Sequence, residues 1–196
     1  MIKKDKIDNS KEYQRRSIRL KEYDYSQNGG YFITICSYGW KCLLGNVFDG
    51  IVKLSPIGKR AFKFWIEIPS HFENVKLDKF IIMPNHIHGI VMIYSDVGVQ
   101  NFEPLQKQNR FQKIIPESIG SIIRTYKSAV THWCKENGYE HFKWQRNYYE
   151  HIIRNEDDLK QIREYIIHNP LKWELDSENP KNIKQKKDKD EVQNQT

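Results

Sequence analysis

Apolar positions along the chain fall into runs that repeat every second residue and runs that repeat every three to four, and their order sketches a mixed fold. Tyr31-Phe32-Ile33-Thr34-Ile35-Cys36 follows Gly29-Gly30 and is β-branched and aromatic, which predicts a first core strand. Leu44 to Leu54 predicts a short hairpin turning at Asp49-Gly50, a dipeptide that tolerates positive φ. Ser55-Pro56 then supplies a capping hydroxyl and a proline suited to the first helical position. Ile57, Arg60, Ala61, Phe64, Trp65 and Ile68 continue at helical spacing, and Pro69 is expected to end the helix. Val75 to Met83 and His86 to Ile93 predict two strands joined tightly at Pro84-Asn85.

A second helix is predicted from Glu117-Ser118, with Ile119, Ile122, Ile123, Tyr126, Val130 and Trp133 on its apolar side and Asn137-Gly138 at its end. The aromatic stretch His141 to Ile153 is expected to hold a fourth core strand. Asn155-Glu156-Asp157-Asp158 combines a cap with three acids suited to the positive end of a helix, which should run to about Asn169, where Pro170 stops it. Outside these elements the pattern fades. Residues 1–27 form a basic arm, residues 95–116 a polar surface loop, and beyond Trp173 the mixed-charge chain is expected to be disordered. The expected organisation is an arm (1–27), one folded domain (28–176) and a polar tail (177–196), since 196 residues supply one sizeable core.

Charge adds a partner class. The chain carries 32 Lys and Arg against 25 Asp and Glu, a formal charge of +7, together with eleven Tyr and five Trp. A basic, aromatic-rich protein suits a polyanion whose bases can stack, which points to nucleic acid and particularly to a single strand. Cys36, Cys42 and Cys134 are odd in number and lack CxxC spacing, so they read as buried thiols in a reducing compartment rather than as a disulfide or thiolate-zinc framework. No apolar run approaches the roughly twenty residues of a membrane helix, so no membrane partner is expected, and the expected location is cytoplasmic, at the nucleoid.

Candidate chemistry concentrates in Met83-Pro84-Asn85-His86-Ile87-His88-Gly89-Ile90. Side chains alternate along a strand, so His86 and His88 share one face with Ile90 and Met92. That spacing lets two imidazoles approach one cation. On the last helix Leu159, Ile162 and Ile166 form an apolar stripe, and Gln161, Tyr165 and Asn169 recur every four residues beside it. Tyr165 reads as a nucleophile and Asn169 as an oxygen ligand or hydrogen-bonding partner for a cation. Arg124 and Lys127 on the polar side of the second helix are candidates for phosphate contacts, and Arg146, Tyr148, Tyr149, His151 and Arg154 cluster before the last helix as candidates for DNA contact. His151 and His168 stay outside the metal set.

Taken in order, the strand at Tyr31–Cys36, the His86-Ile87-His88 segment, Trp144-Gln145-Arg146-Asn147-Tyr148-Tyr149-Glu150-His151, and Tyr165-Ile166-Ile167-His168-Asn169-Pro170 resemble the REP-associated tyrosine transposases. These are relatives of the IS200/IS605 transposases in the HUH single-strand nuclease superfamily, and the resemblance spans roughly residues 15 to 176. It implies an α+β fold, a ferredoxin-like antiparallel sheet with packed helices. It also implies a divalent ion, Mg²⁺ or Mn²⁺, on His86, His88 and Asn169, with Tyr165 as the nucleophile that forms a 5′-phosphotyrosine. The implied substrate is single-stranded DNA with a foldback hairpin, handled by a monomer or a homodimer. Contact with that DNA is expected from Arg124, Lys127, Arg146, Tyr149, His151 and Arg154. Two other readings stay open: a domesticated hairpin-binding protein without turnover, and an HUH initiator of replication or conjugation.

Overall fold

The computed structural model of the chain describes residues 27–94, 116–176 and 179–182; the basic arm apart from its last residue, the 95–116 loop apart from its last residue, and most of the polar tail lie outside them. The central strand is β1 (Gly29–Cys36), buried along nearly its whole length. A strand with no polar alternation needs cover on both faces, and β1 has it. Its neighbours are β5 (His86–Ile93) and β6 (Tyr149–Ile153), with β4 (Val75–Ile82) outside β5. The resulting antiparallel order is β4-β5-β1-β6. The expected α+β antiparallel architecture is therefore the observed one.

Between β1 and the first helix lies the hairpin β2 (Gly45–Phe48) and β3 (Ile51–Leu54), turning through Asp49 and Gly50 at positive φ of 49° and 72°. The sequence places α1 at Pro56–Ile66 because Ser55 accepts from the Gly58 N–H and Pro56 opens the first turn. Pro69 does not end this helix as expected. It sits in the first turn of a separate short helix, α2 (Ile68–His71), a position where its missing N–H costs nothing. Next come α3 (Ile119–Glu136), capped by Ser118, and α4 (Glu156–His168), capped by Asn155, whose side chain accepts from the Asp158 N–H.

The alternation of β1 and β5 divides the core in two. Tyr31, Ile33, Ile35, Ile87, Val91 and Ile93 face α1 and α3 in the larger core, where Trp65 is wholly buried. Gly89 belongs to this face, so the space it leaves is not beside the histidines. A Cβ there would stand 2.3 Å from Trp65 Cζ2. On the opposite face Phe32 and Ile90 meet Leu159 and Ile166 of α4 in a smaller core. Each buried aliphatic side chain contributes about 1.5–3 kcal/mol, so α4 is held by few apolar contacts. Asp78 and Arg163 add to them: at the irregularity in β4 between Leu77 and Phe80, the Asp78 carboxylate accepts two bonds from Arg163 Nε, 3.0 and 3.2 Å long.

Chain order persists past the expected limit at Trp173. A 3₁₀ turn spans Pro170–Leu175, and Asp176 beyond it is buried. Cys36 and Cys134 are buried as expected, whereas Cys42 is exposed, because it lies in the segment leading to β2 and not in an element facing the core. Among the described residues no helix is long and apolar enough to cross a membrane.

Candidate active site

Register and alternation bring His86, His88, Phe32 and Thr34 to the α4 face of the sheet. Thr34 stands opposite His88 on one side and Tyr149 on the other, and Cys36 stands opposite His86. The two imidazole rings are 4.4 Å apart between centroids, and both residues are almost inaccessible to solvent. Burial drives the His86 pKa down to about 3. It also holds that of His88 well below its ordinary value, with the neighbouring His86 adding to the effect and Asp176 opposing it. Both rings are thus neutral and able to donate lone pairs near neutral pH.

Hydrogen bonds orient those lone pairs. Asn85, wholly buried, donates from Nδ2 to the Trp40 carbonyl, so its Oδ1 is the acceptor facing His86 Nδ1 at 2.8 Å. That bond requires the proton on Nδ1 and leaves His86 Nε2 bare. His88 Nδ1 lies 2.9 Å from Thr34 Oγ1, a contact that anchors the ring and turns its Nε2 away from Thr34. Partners of this kind fix ring orientation and raise ligand basicity at metal sites.

The sequence-predicted helix residues arrive at the same place. Tyr165 Oη is 3.2 Å from His88 Nε2, its ring stands edge-on to Phe32 at 6.0 Å, and 43% of the residue is exposed. A hydroxyl on a partly open ring can meet a large molecule. Asn169, 2% exposed, closes α4; its Nδ2 donates to Asp176 Oδ2 at 3.0 Å, while its Oδ1 is buried without a hydrogen bond. His86 Nε2 is orphaned in the same way. Buried polar atoms normally find partners, so two bare acceptors here fit a cation. Asp176 is the site residue that sequence reasoning missed: a carboxylate oxygen and one nitrogen from each histidine lie within 4.8 Å of one another. Its only sequence signal is an acid seven residues after Asn169, in a stretch rich in acids.

No family model matches the chain. An uncharacterized protein of Haemophilus influenzae is 45% identical over 166 residues, 84% of this chain and 92% of that protein, and the two belong to one family. A second Haemophilus influenzae protein, provisionally named a REP-associated tyrosine transposase, is 26% identical over 101 residues, 52% of this chain and 51% of the other. Among solved structures, a REP-associated tyrosine transposase bound to a REP hairpin matches with a TM-score of 0.54 at 20% identity, covering 79% of this chain and 74% of that one. This chain is similar to a protein provisionally named a REP-associated tyrosine transposase and shares the fold of a solved transposase of that name.

Within that fold the six residues expected to contact DNA separate into two groups. Tyr149 and His151 of β6 lie on the same sheet face as the histidine pair, and Tyr149 is half exposed. His151 Nε2 is 2.9 Å from Asp158 Oδ2, which also accepts from the Arg154 N–H, so this corner fastens β6 to α4. Arg124, Lys127 and Arg146 lie on the other side of the sheet, along α3 and the segment that packs on it, where Lys127 and Arg146 line a groove of about 600 Å³. Lys127 is not a free phosphate contact: its Nζ donates to the carbonyls of Gln145 and Arg146 at 2.6 and 3.1 Å.

Proposed function

We propose that this protein is a metal-dependent nuclease and strand transferase that cuts and rejoins single-stranded DNA beside a foldback hairpin through a covalent bond to Tyr165. The observation that carries this reading is the placement of the Tyr165 hydroxyl 3.2 Å from His88 Nε2, whose ring lies 4.4 Å from that of His86 with its bare Nε2. Kinship with the REP-associated tyrosine transposases supports the same chemistry.

His86, His88 and Asn169 would hold a divalent cation, Mg²⁺ or Mn²⁺. Such a cation polarises the scissile phosphate and offsets the charge that builds on its oxygens. The rest falls to the chain itself. A phenol ordinarily ionises near pH 10, so Tyr165 needs help to lose its proton near neutrality. The Oη attacks phosphorus, the bond from phosphorus to the 3′-oxygen breaks, and the departing oxygen takes up a proton to become a 3′-OH. A 5′-phosphotyrosine conserves the bond energy. When a second 3′-OH attacks that phosphorus, Tyr165 leaves and the new phosphodiester forms without an external energy source. Phe32, packed against both the His88 and Tyr165 rings, keeps the hydroxyl aimed at the site.

The test is incubation of the full chain with a labelled hairpin single strand and Mn²⁺ or Mg²⁺. The expected product is a covalent protein–DNA adduct that survives denaturation and is absent in Tyr165→Phe and His86→Ala. Tight hairpin binding with no adduct under any divalent ion would favour a binding module over an enzyme.

A further inference from the structure

The donor set assigned above is electrically neutral: two imidazoles and one amide. Neutral nitrogen donors alone favour softer ions such as Zn²⁺ or Ni²⁺, whereas hard divalent ions prefer anionic oxygen. A buried carboxylate stands beside them. Asp176 is 8% exposed, and one of its oxygens lies within 4.8 Å of a nitrogen of His86 and a nitrogen of His88. Taking a carboxylate out of water is expensive unless an opposite charge or several donors compensate it.

The chain after α4 is built to deliver this group. The 3₁₀ turn Pro170–Leu175 carries it back toward the sheet, with the Trp173 ring 6.1 Å from that of His86. Backbone bonds fix it from both sides: the Asp176 N–H donates to the Trp173 carbonyl, and Asn182 Nδ2 donates to the Asp176 carbonyl at 2.9 Å. Oδ2 accepts from Asn169 Nδ2, which leaves the Asn169 Oδ1 as the bare atom of that amide.

Resting on the reading of a metal-dependent enzyme, we propose that Asp176 is the anionic member of the cation site, a fourth protein donor that ligates beside His86 and His88 and holds the Asn169 amide with its second oxygen. Its charge tunes the site toward hard divalent ions. The carboxylate also makes the stretch after α4 part of the metal centre.

Mn²⁺ binding to the full chain without DNA, followed by calorimetry and by the electron paramagnetic resonance of the free ion, tests this directly. Asp176→Asn keeps an oxygen that can accept from Asn169 but removes the charge. It is expected to weaken Mn²⁺ binding about tenfold or more, to weaken Zn²⁺ binding less, and to change the visible spectrum of the Co²⁺-loaded protein. Asp176→Glu, which keeps the charge, is expected to retain most of the affinity and serves as the reference if Asp176→Asn melts early in chelator. A loss of less than about threefold in Asp176→Asn, with His88→Ala abolishing binding, would overturn the role of Asp176 and leave the metal-dependent reading standing. Wild-type protein that binds no divalent ion would overturn both.

Discussion

Tyr165 Oη and His88 Nε2 meet at 3.2 Å although 77 residues separate them in the chain. His88 Nε2, which holds the phenol, is also a nitrogen a cation would use, so a bound cation and the phenol would compete for it. Tyr165→Phe removes one oxygen and leaves the ring on Phe32. The variant is expected to melt within a few degrees of wild type and to form no covalent adduct on a denaturing gel with labelled hairpin DNA.

Asn85 supports the candidate metal site from behind. Asn85→Ala deletes the acceptor for His86 Nδ1 and strands the Trp40 carbonyl. Divalent-ion affinity should fall about 10- to 100-fold and unfolding stability by about 1–3 kcal/mol. Calorimetric titration and urea unfolding read the two effects separately.

Gly89 tests the division of the core. In Gly89→Ala the new methyl meets the Trp65 ring, which is boxed in by Phe80 and Tyr126. A cost of about 1–3 kcal/mol in urea unfolding is expected, with ion affinity changed less than in Asn85→Ala, because the strain arises on the face opposite the histidines.

The tie between Asp78 and Arg163 makes α4 docking sensitive to acid. The Arg163 guanidinium holds the Asp78 carboxyl below its ordinary value, by hydrogen bonding first and by charge second. A depressed carboxyl stabilises the fold above the unfolded-state pKa, about 3.9, and that contribution is lost as pH falls through the lower folded value. Wild type should therefore melt a few degrees above Asp78→Asn at pH 7, and the gap should close toward pH 3. Added salt should narrow it, since the pair is partly exposed.

Tyr149 and Lys127 separate DNA contact from structure. Base stacking on an aromatic ring contributes about 1–3 kcal/mol, so Tyr149→Ala is expected to weaken hairpin binding about 5- to 100-fold with little change in melting. Lys127→Ala frees two carbonyls and should lower unfolding stability by about 1–3 kcal/mol. A filter-binding series over salt concentration reads the affinities, and wild-type affinity should fall steeply with salt.

Most of this fold was legible because its signals are local. Period-two alternation places His86 and His88 on one face, Asn155 and Ser118 announce their helices, and the four-residue repeat sets Tyr165 and Asn169 together. What escaped depends on tertiary packing. Asp176 follows a proline in a mixed-charge stretch, and nothing in that pattern distinguishes a buried carboxylate from its solvated neighbours. Lys127 reads as a surface cation until the 145–146 carbonyls are seen beneath it. Pro69 punctuates a helix in either direction, and here the chain restarts where termination was expected.

The central position of β1 has a consequence for how the protein matures. Its partners β5 and β6 come from distant parts of the chain, so the sheet closes only through long-range pairing, which is slow. On a ribosome the histidine strand emerges well before α4 and the turn that carries Asp176. An unfinished chain therefore holds the two imidazoles without Tyr165 and Asp176, and the site is complete only once α4 and that turn have docked.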